Sequence, residues 1–133
     1  MDPAGNAAIA DTGNNRILIV AASTGTFGDG GPATQAGLND PTAVTVDHAG
    51  NLVIAASANN RIRVVAVRTG TFYGTAMTAG DIYTVAGGGP AGFAGDGGPA
   101  TKAGLTSPWS VAINGPGGLV IADTGNQRIR VVS

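Results

Sequence analysis

Short apolar segments separated by turn residues run along the middle of the chain, and they predict strands rather than helices. Residues 42–47 alternate in polarity, which is typical of a half-buried strand. Leu52–Ala56 is a continuous apolar run, as in a strand buried on both faces. Residues 61–67 and 82–86 add a third and a fourth strand. The first two are joined by a turn that contains Gly50-Asn51, which takes positive φ easily, so we expect antiparallel pairing.

This pattern occurs three times along the chain. Residues 28–65 align without gaps on residues 95–132, and about 23 of the 38 positions are identical. Both copies open with Gly-Asp-Gly-Gly-Pro-Ala-Thr and close with Arg-Ile-Arg-Val-Val. A partial copy at residues 2–20 matches the closing halves of the other two. We therefore expect a single repetitive domain over residues 1–133, with copies at about 1–27, 28–94 and 95–133.

Four short antiparallel strands per copy, rich in valine and separated by glycine-rich linkers, are typical of a β-propeller blade. A blade cannot bury both of its faces alone, so it needs neighbours. The successive copies contain about two, four and three predicted strands, and the first copy begins within its inner strand. We expect an all-β protein whose blades are four-stranded antiparallel sheets and whose ring is incomplete in one chain. It is either a piece of a longer propeller or a fragment that assembles.

Motifs within the three copies resemble the NHL repeat. In the second copy the motif runs from Pro41 through Val46-Asp47 and Gly50-Asn51-Leu52 to Asn60-Arg61-Ile62. In the third copy its counterpart runs from Pro108 to Ile129. The first copy has Ala-Asp-Thr-Gly-Asn-Asn-Arg-Ile at residues 10–17. The resemblance implies a propeller, commonly of six blades, that serves mainly as a platform for binding other molecules. Some relatives are enzymes, including amidating lyases and lactonases, which place metal ligands around the central channel. Bacterial relatives with such glycine-rich linkers are often exported.

Composition excludes several classes of function. The formal net charge is -1 and the seven Lys and Arg residues are scattered, so we expect no nucleic-acid binding. The chain has no cysteine and a single histidine, His48, in a predicted solvated turn, so we expect neither a metal site nor a cofactor. No apolar run approaches the roughly 20 residues of a membrane helix, and no signal peptide is visible. We expect a soluble protein without membrane contact, and its compartment stays unassigned.

Three residues are candidates for ligand binding. Asp29 and Asp96 occupy equivalent glycine-rich linkers, where they would contact a ligand on one face of the ring. Aspartate flanked by glycine ordinarily caps backbone N–H groups in a tight turn, which is the alternative role. Trp109 replaces Thr42 of the second copy, close to the predicted channel mouth. It is either a binding hot spot or a packing aromatic between blades.

A further set of polar residues recurs at the turn between the second and third strands of the copies. Its members are Asp11, Asp123, Asn15, Asn60, Arg16, Arg61 and Arg128. We expect structural roles, because repetition in every blade is what the architecture demands. The arginines should pair with carboxylates or carbonyls of their own or a neighbouring blade. Binding of an acidic partner along one rim is the alternative.

These observations favour a non-enzymatic binding or scaffold module that presents loops on a rigid strand framework. Three copies are half of a six-repeat ring, so we expect self-association, most simply a homodimer with C2 symmetry. A protein or a carbohydrate is the expected further ligand. Two alternatives stay open: a fragment of a lactonase- or lyase-like enzyme whose catalytic residues lie elsewhere, and a purely structural, self-assembling unit.

Overall fold

The computed structural model describes residues 7–11, 16–20 and 28–133, and the all-β prediction is confirmed. The first copy contributes β1 (Ala7–Asp11) and β2 (Arg16–Val20), which pair as an antiparallel hairpin. Of the polar repeat residues, Asn15 lies outside the described residues, and only the strand backbone is described for Asp11 and Arg16. In the described ranges, no helix has the length and apolar character needed to span a membrane.

The second copy folds into a complete blade. Its strands are β3 (Gly31–Pro32), β4 (Pro41–Val46), β5 (Leu52–Ala56), β6 (Arg61–Val65), β7 (Gly70–Phe72), β8 (Thr75–Met77) and β9 (Asp81–Gly87). Four of them form an antiparallel sheet in the order β4-β5-β6-β9, as predicted, and β3 adds a two-residue pair outside β9. We call this sheet the second blade. β7 and β8 form a separate hairpin between β6 and β9.

The second blade differs from the sequence prediction in the end of its third strand and in an added hairpin, among other features. The third strand ends at Val65 rather than at residue 67, because the Val67 N–H donates to the side-chain oxygen of Asn51 at 3.2 Å. The hairpin β7–β8 is not predicted at all. Its two-residue turn consists of Tyr73 and Gly74, which both have positive φ (51° and 72°). A bulky residue in this conformation is uncommon, so the residue types do not signal the turn.

The third copy forms the third blade from β10 (Pro108–Ile113), β11 (Leu119–Asp123) and β12 (Arg128–Val132). The described copies thus contain two, four and three blade strands, and their sheets do not close into a ring. In both blades a 3₁₀ turn joins the second and third strands, and it ends on a left-handed residue, Asn60 or Gln127, each with φ of 55°.

Apolar side chains bury the second blade on both faces. One cluster joins the second and third copies, with Val53, Ala55, Ile62, Val64, Leu105, Val111, Leu119 and Ile121 among its members. On the opposite face, linker residues Ala33, Ala36 and Leu38 pack on Leu52 and Ile54. The linker that precedes each blade therefore belongs to the core and positions the polar residues described next.

Candidate functional site

The linker carboxylate of the second copy is bound to an arginine. Arg63 in β6 is fully buried, and its Nη2 lies 2.6 Å from Oδ1 of Asp29. Its Nη1 donates to the carbonyl oxygen of Gly37 at 2.8 Å, so a single guanidinium fastens two points of the linker to the blade. Burial lowers the pKa of Arg63, while the hydrogen bond and the charge of Asp29 oppose that shift.

The third copy repeats this arrangement at equivalent positions. Arg130 Nη2 lies 2.7 Å from Asp96 Oδ1, and Arg130 Nη1 donates to the Gly104 carbonyl oxygen at 2.6 Å. A second, fully buried carboxylate, that of Asp123, lies 3.4 Å from the same Nη1. Asp29 and Asp96 thus fasten linkers to blades, and their contact with a ligand stays a prediction.

Sequence reasoning did not find Arg63 and Arg130 as the partners of these carboxylates. Each is the second arginine of an Arg-Ile-Arg motif and lies 34 residues beyond its aspartate. The shared separation does not single out these pairs, because every residue pair in the gapless alignment of the two copies has the same separation in both.

A second linker contact is made by different residues in the two blades. In the third blade, Asp123 Oδ1 accepts the Thr106 N–H at 2.8 Å. The second copy has Ala56 at the position of Asp123, and there Asn59 Oδ1 accepts the Asn39 N–H at 2.9 Å. The hydrogen bond to the linker N–H is present in both blades although different side chains accept it, and this agrees with a structural role for Asp123.

The other repeated polar residues bind backbone atoms. Asn60 Oδ1 accepts the Ser107 N–H at 2.8 Å and so ties the second blade to the third copy. Nη1 of Arg61 and Nη1 of Arg128 each donate to the carbonyl oxygen two residues earlier, at 3.4 and 3.1 Å. The Arg128 guanidinium also lies 3.9 Å from the centre of the exposed Phe93 ring, within cation–π distance.

A cleft of about 260 Å³ lies where the β4–β5 turn, the β7–β8 hairpin and the β10–β11 turn meet. Its walls include His48, Phe72, Tyr73 and Pro116, and the His48 side chain is exposed. Within residues 7–11, 16–20 and 28–133, no group of three or more His, Cys, Asp or Glu residues is placed to hold a metal ion.

The carboxylate of Asp47, which lines this cleft, accepts hydrogen bonds from neighbouring residues of the chain. It accepts hydrogen bonds from the Ala49 N–H at 2.8 Å, from the backbone and side chain of Asn51 at 2.9 and 3.0 Å, and from the Tyr73 hydroxyl at 2.9 Å. Burial, supported by Asp47, raises the pKa of Tyr73. Asp47 therefore closes the β4–β5 turn and anchors the hairpin on which Tyr73 lies.

Trp109 lies on β10 with 58% of its surface exposed. The alternative role of Trp109, a packing aromatic between blades, stays a prediction. The Thr42 hydroxyl of the second blade donates to the Trp109 carbonyl oxygen at 2.7 Å, so the backbone of this residue joins the inner strands while its indole faces solvent. Its role as a binding hot spot stays a prediction.

The outer face of the third blade exposes side chains that are buried in the second. Ile62 and Val64 have no exposed surface, because the third copy covers them. Their equivalents Ile129 and Val131 are 68% and 62% exposed. These two residues define what we call the open face.

The two linker aspartates should differ in their contribution to stability. Asp29→Asn removes a carboxylate that contacts the fully buried Arg63, and we expect the free energy of unfolding to fall by about 1.5–3 kcal/mol. Asp96→Asn is the matched control, because Asp96 is 66% exposed and Arg130 keeps Asp123; we expect a loss below about 1 kcal/mol. Urea unfolding at neutral pH measures both. Equal losses would contradict the assigned roles.

Tyr73 should make stability depend on alkaline pH. Its pKa is higher in the folded chain than in the unfolded chain, so its contribution is complete below about pH 10 and is lost as the pH rises further. We expect the free energy of unfolding of the wild-type chain to fall above about pH 10 more steeply than that of Tyr73→Phe. Urea unfolding across this range checks it, and parallel curves for the two proteins would rule out titration of Tyr73 as a cause of the alkaline loss of stability.

Comparison with known proteins agrees with this architecture. The family model of the Teneurin NHL domain matches residues 31–133, a range that contains the second and third blades. None of the curated proteins compared with the chain matches it. The matched family consists of NHL-repeat β-propellers of the binding type. With the repeated blades and the match over most of its length, the chain belongs to the Teneurin NHL domain family.

Proposed function

We propose that the chain is a non-enzymatic protein-binding module and that the protein bound at its open face is a second copy of the chain. The observation that carries this proposal is the contrast between equivalent residues: Ile62 and Val64 are fully buried, whereas Ile129 and Val131 are 68% and 62% exposed. The family is one of binding-type propellers, which supports the general function.

The blade interface within the chain indicates what the open face fits. Ile62 and Val64 are buried with apolar residues of the third copy, among them Leu119 and Ile121. In the first copy, Ala7 and Ile9 stand at the positions that align with Leu119 and Ile121. A second chain therefore carries apolar residues at the two aligned positions of its first copy, as the third copy does where it packs on the second blade.

The size of the apolar contribution favours a whole blade over a small ligand. Covering Ile129 and Val131 alone supplies about 2–4 kcal/mol, which is too little for a stable complex. A standard protein interface buries about 800 Å² on each partner. Only a partner with an extended surface, such as another blade, reaches that area.

The mass in solution tests this proposal. We expect light scattering to give twice the chain mass of 12.9 kDa for the wild-type chain. A charge on the open face should prevent association, so Ile129→Asp and Val131→Asp should give the single-chain mass. Ala58→Asp adds the same charge at an exposed position in the second-blade turn and should leave the doubled mass unchanged.

A single-chain mass for the wild-type protein at every concentration would overturn self-association. So would Asp variants that keep the doubled mass. Circular dichroism of each variant, compared with that of the wild-type chain, shows whether the strands have formed.

A further inference from the structure

The turn between β10 and β11 contains a chemically reactive dipeptide. Asn114 is followed by Gly115, and this is the only Asn-Gly pair in the sequence. Because glycine has no Cβ, no side-chain atom shields its backbone nitrogen from the side-chain carbonyl carbon of the preceding residue. An asparagine side chain is long enough to close a cyclic imide with that nitrogen. The pair therefore favours conversion of the asparagine to aspartate.

The fold leaves this dipeptide accessible to water. β10 ends at Ile113 and β11 begins at Leu119, and both Asn114 and Gly115 are exposed between them. The turn is held by the Asn114 N–H, which donates to the Gly118 carbonyl oxygen at 2.9 Å, and by the Gly118 N–H, which donates to the Gly115 carbonyl oxygen at 3.3 Å. Neither bond uses the Gly115 N–H or the Asn114 side chain, so the two groups that must react are not held by the turn.

Other asparagines of the described chain are held by their side chains or buried. The Asn126 side chain donates to the Asp123 carboxylate at 2.8 Å, and the Asn60 side chain accepts the Ser107 N–H at 2.8 Å. Asn51 is fully buried. The residues that follow these three asparagines all have side chains, which hinder attack by the backbone nitrogen.

The second copy shows what an aspartate does at this position. Asp47 aligns with Asn114, and its carboxylate accepts the backbone N–H of Asn51 at 2.9 Å, which closes the β4–β5 turn. Gly118 aligns with Asn51, so the third-blade turn keeps a backbone donor at the equivalent position. An aspartate at residue 114 is therefore compatible with the blade architecture.

We propose that Asn114 is a deamidation site, at which the third-blade turn gains a carboxylate by reaction with water. A base in the solvent removes the Gly115 N–H proton, and the nitrogen forms a bond to Cγ of Asn114. The Cγ–Nδ2 bond breaks, and Nδ2 takes up a proton and leaves as ammonia. Water then opens the cyclic imide at either carbonyl carbon, which gives aspartate or isoaspartate. The reaction consumes water and releases ammonia, and it needs no oxidant or reductant.

Deamidation changes the charge beside the cleft described above. Gly115 and Gly117 line this cleft together with His48. The reaction adds a negative charge to the residue that directly precedes this wall, whereas the open face on β12 keeps its residues. This inference goes beyond the proposed function, because it concerns a chemical change in a turn of the third blade rather than association of two chains.

Peptide mapping of the full chain measures the modification. The folded chain is kept in mildly alkaline buffer and digested with trypsin, and the peptide of residues 103–128 is fragmented in a mass spectrometer. We expect a hydroxyl to replace the amide NH₂ at residue 114, with both aspartate and isoaspartate among the products. Asn126 lies in the same peptide and should stay unmodified. A sample digested at the start corrects for change during digestion.

Two alanine variants of the turn form a matched pair. Gly115 and Gly117 have φ of 75° and 74°, and a Cβ on either would meet no atom within 4 Å, so both variants carry the same backbone strain without a clash. Gly115→Ala places its methyl group beside the attacking nitrogen, and we expect modification at residue 114 to fall towards the level at Asn126. Gly117→Ala should leave the rate of the wild-type chain unchanged. Circular dichroism shows whether each variant has folded.

Several results would overturn the proposal. Modification that occurs only after unfolding in urea would contradict reaction in the folded turn. Aspartate without isoaspartate would contradict the cyclic imide, and equal rates in the two alanine variants would contradict attack by the Gly115 nitrogen. A single-chain mass in light scattering contradicts the dimer and leaves this test intact, so the two proposals fail separately.

Discussion

Burial of each blade against its neighbour is the constraint on which the rest of this structure depends. A four-stranded sheet has two apolar faces and no means of covering both by itself. The second blade solves this problem by packing on the third copy through Ile62 and Val64 and on its own linker through Leu52 and Ile54. The same sequence, one repeat later, leaves Ile129 and Val131 uncovered. Identical side chains are thus core or surface according to what stands beside the blade.

The linkers carry this packing because polar bonds hold them in place. A guanidinium in the third strand of each described blade binds the linker carboxylate and a linker carbonyl oxygen. A buried arginine needs such partners, since an unpaired charge in the interior is strongly destabilising. In the first copy, Leu18 stands at the position of Arg63. Asp123 accepts a hydrogen bond from the linker backbone of the third copy. The second copy has Ala56 at that position, and there Asn59 accepts the equivalent hydrogen bond. In the second and third blades this contact to the linker is therefore preserved, while the residue that makes it differs.

Sequence reasoning predicted the fold well because the signals are local and occur more than once. Leu52–Ala56 is a strand with the predicted bounds, since a continuous apolar run between turns has few other structures available. The candidate site was harder to predict. Pairing of Asp29 with Arg63 joins residues 34 positions apart, and periodicity within one strand does not report such contacts. The hairpin at Tyr73 depends on a hydrogen bond to Asp47 in another turn. Trp109 is 58% exposed on the inner strand β10, and its residue type does not indicate this exposure.

A double-mutant cycle across the blade interface tests the central claim most directly. Val64 of the second blade and Val111 of the third belong to one buried cluster. Unfolding free energies of Val64→Ala, Val111→Ala and the double variant should be non-additive by at least about 0.5 kcal/mol. The control cycle pairs Val64→Ala with Leu38→Ala, which lies in the cluster on the opposite face, and should be additive. Additivity in both cycles would contradict burial of one blade by the next.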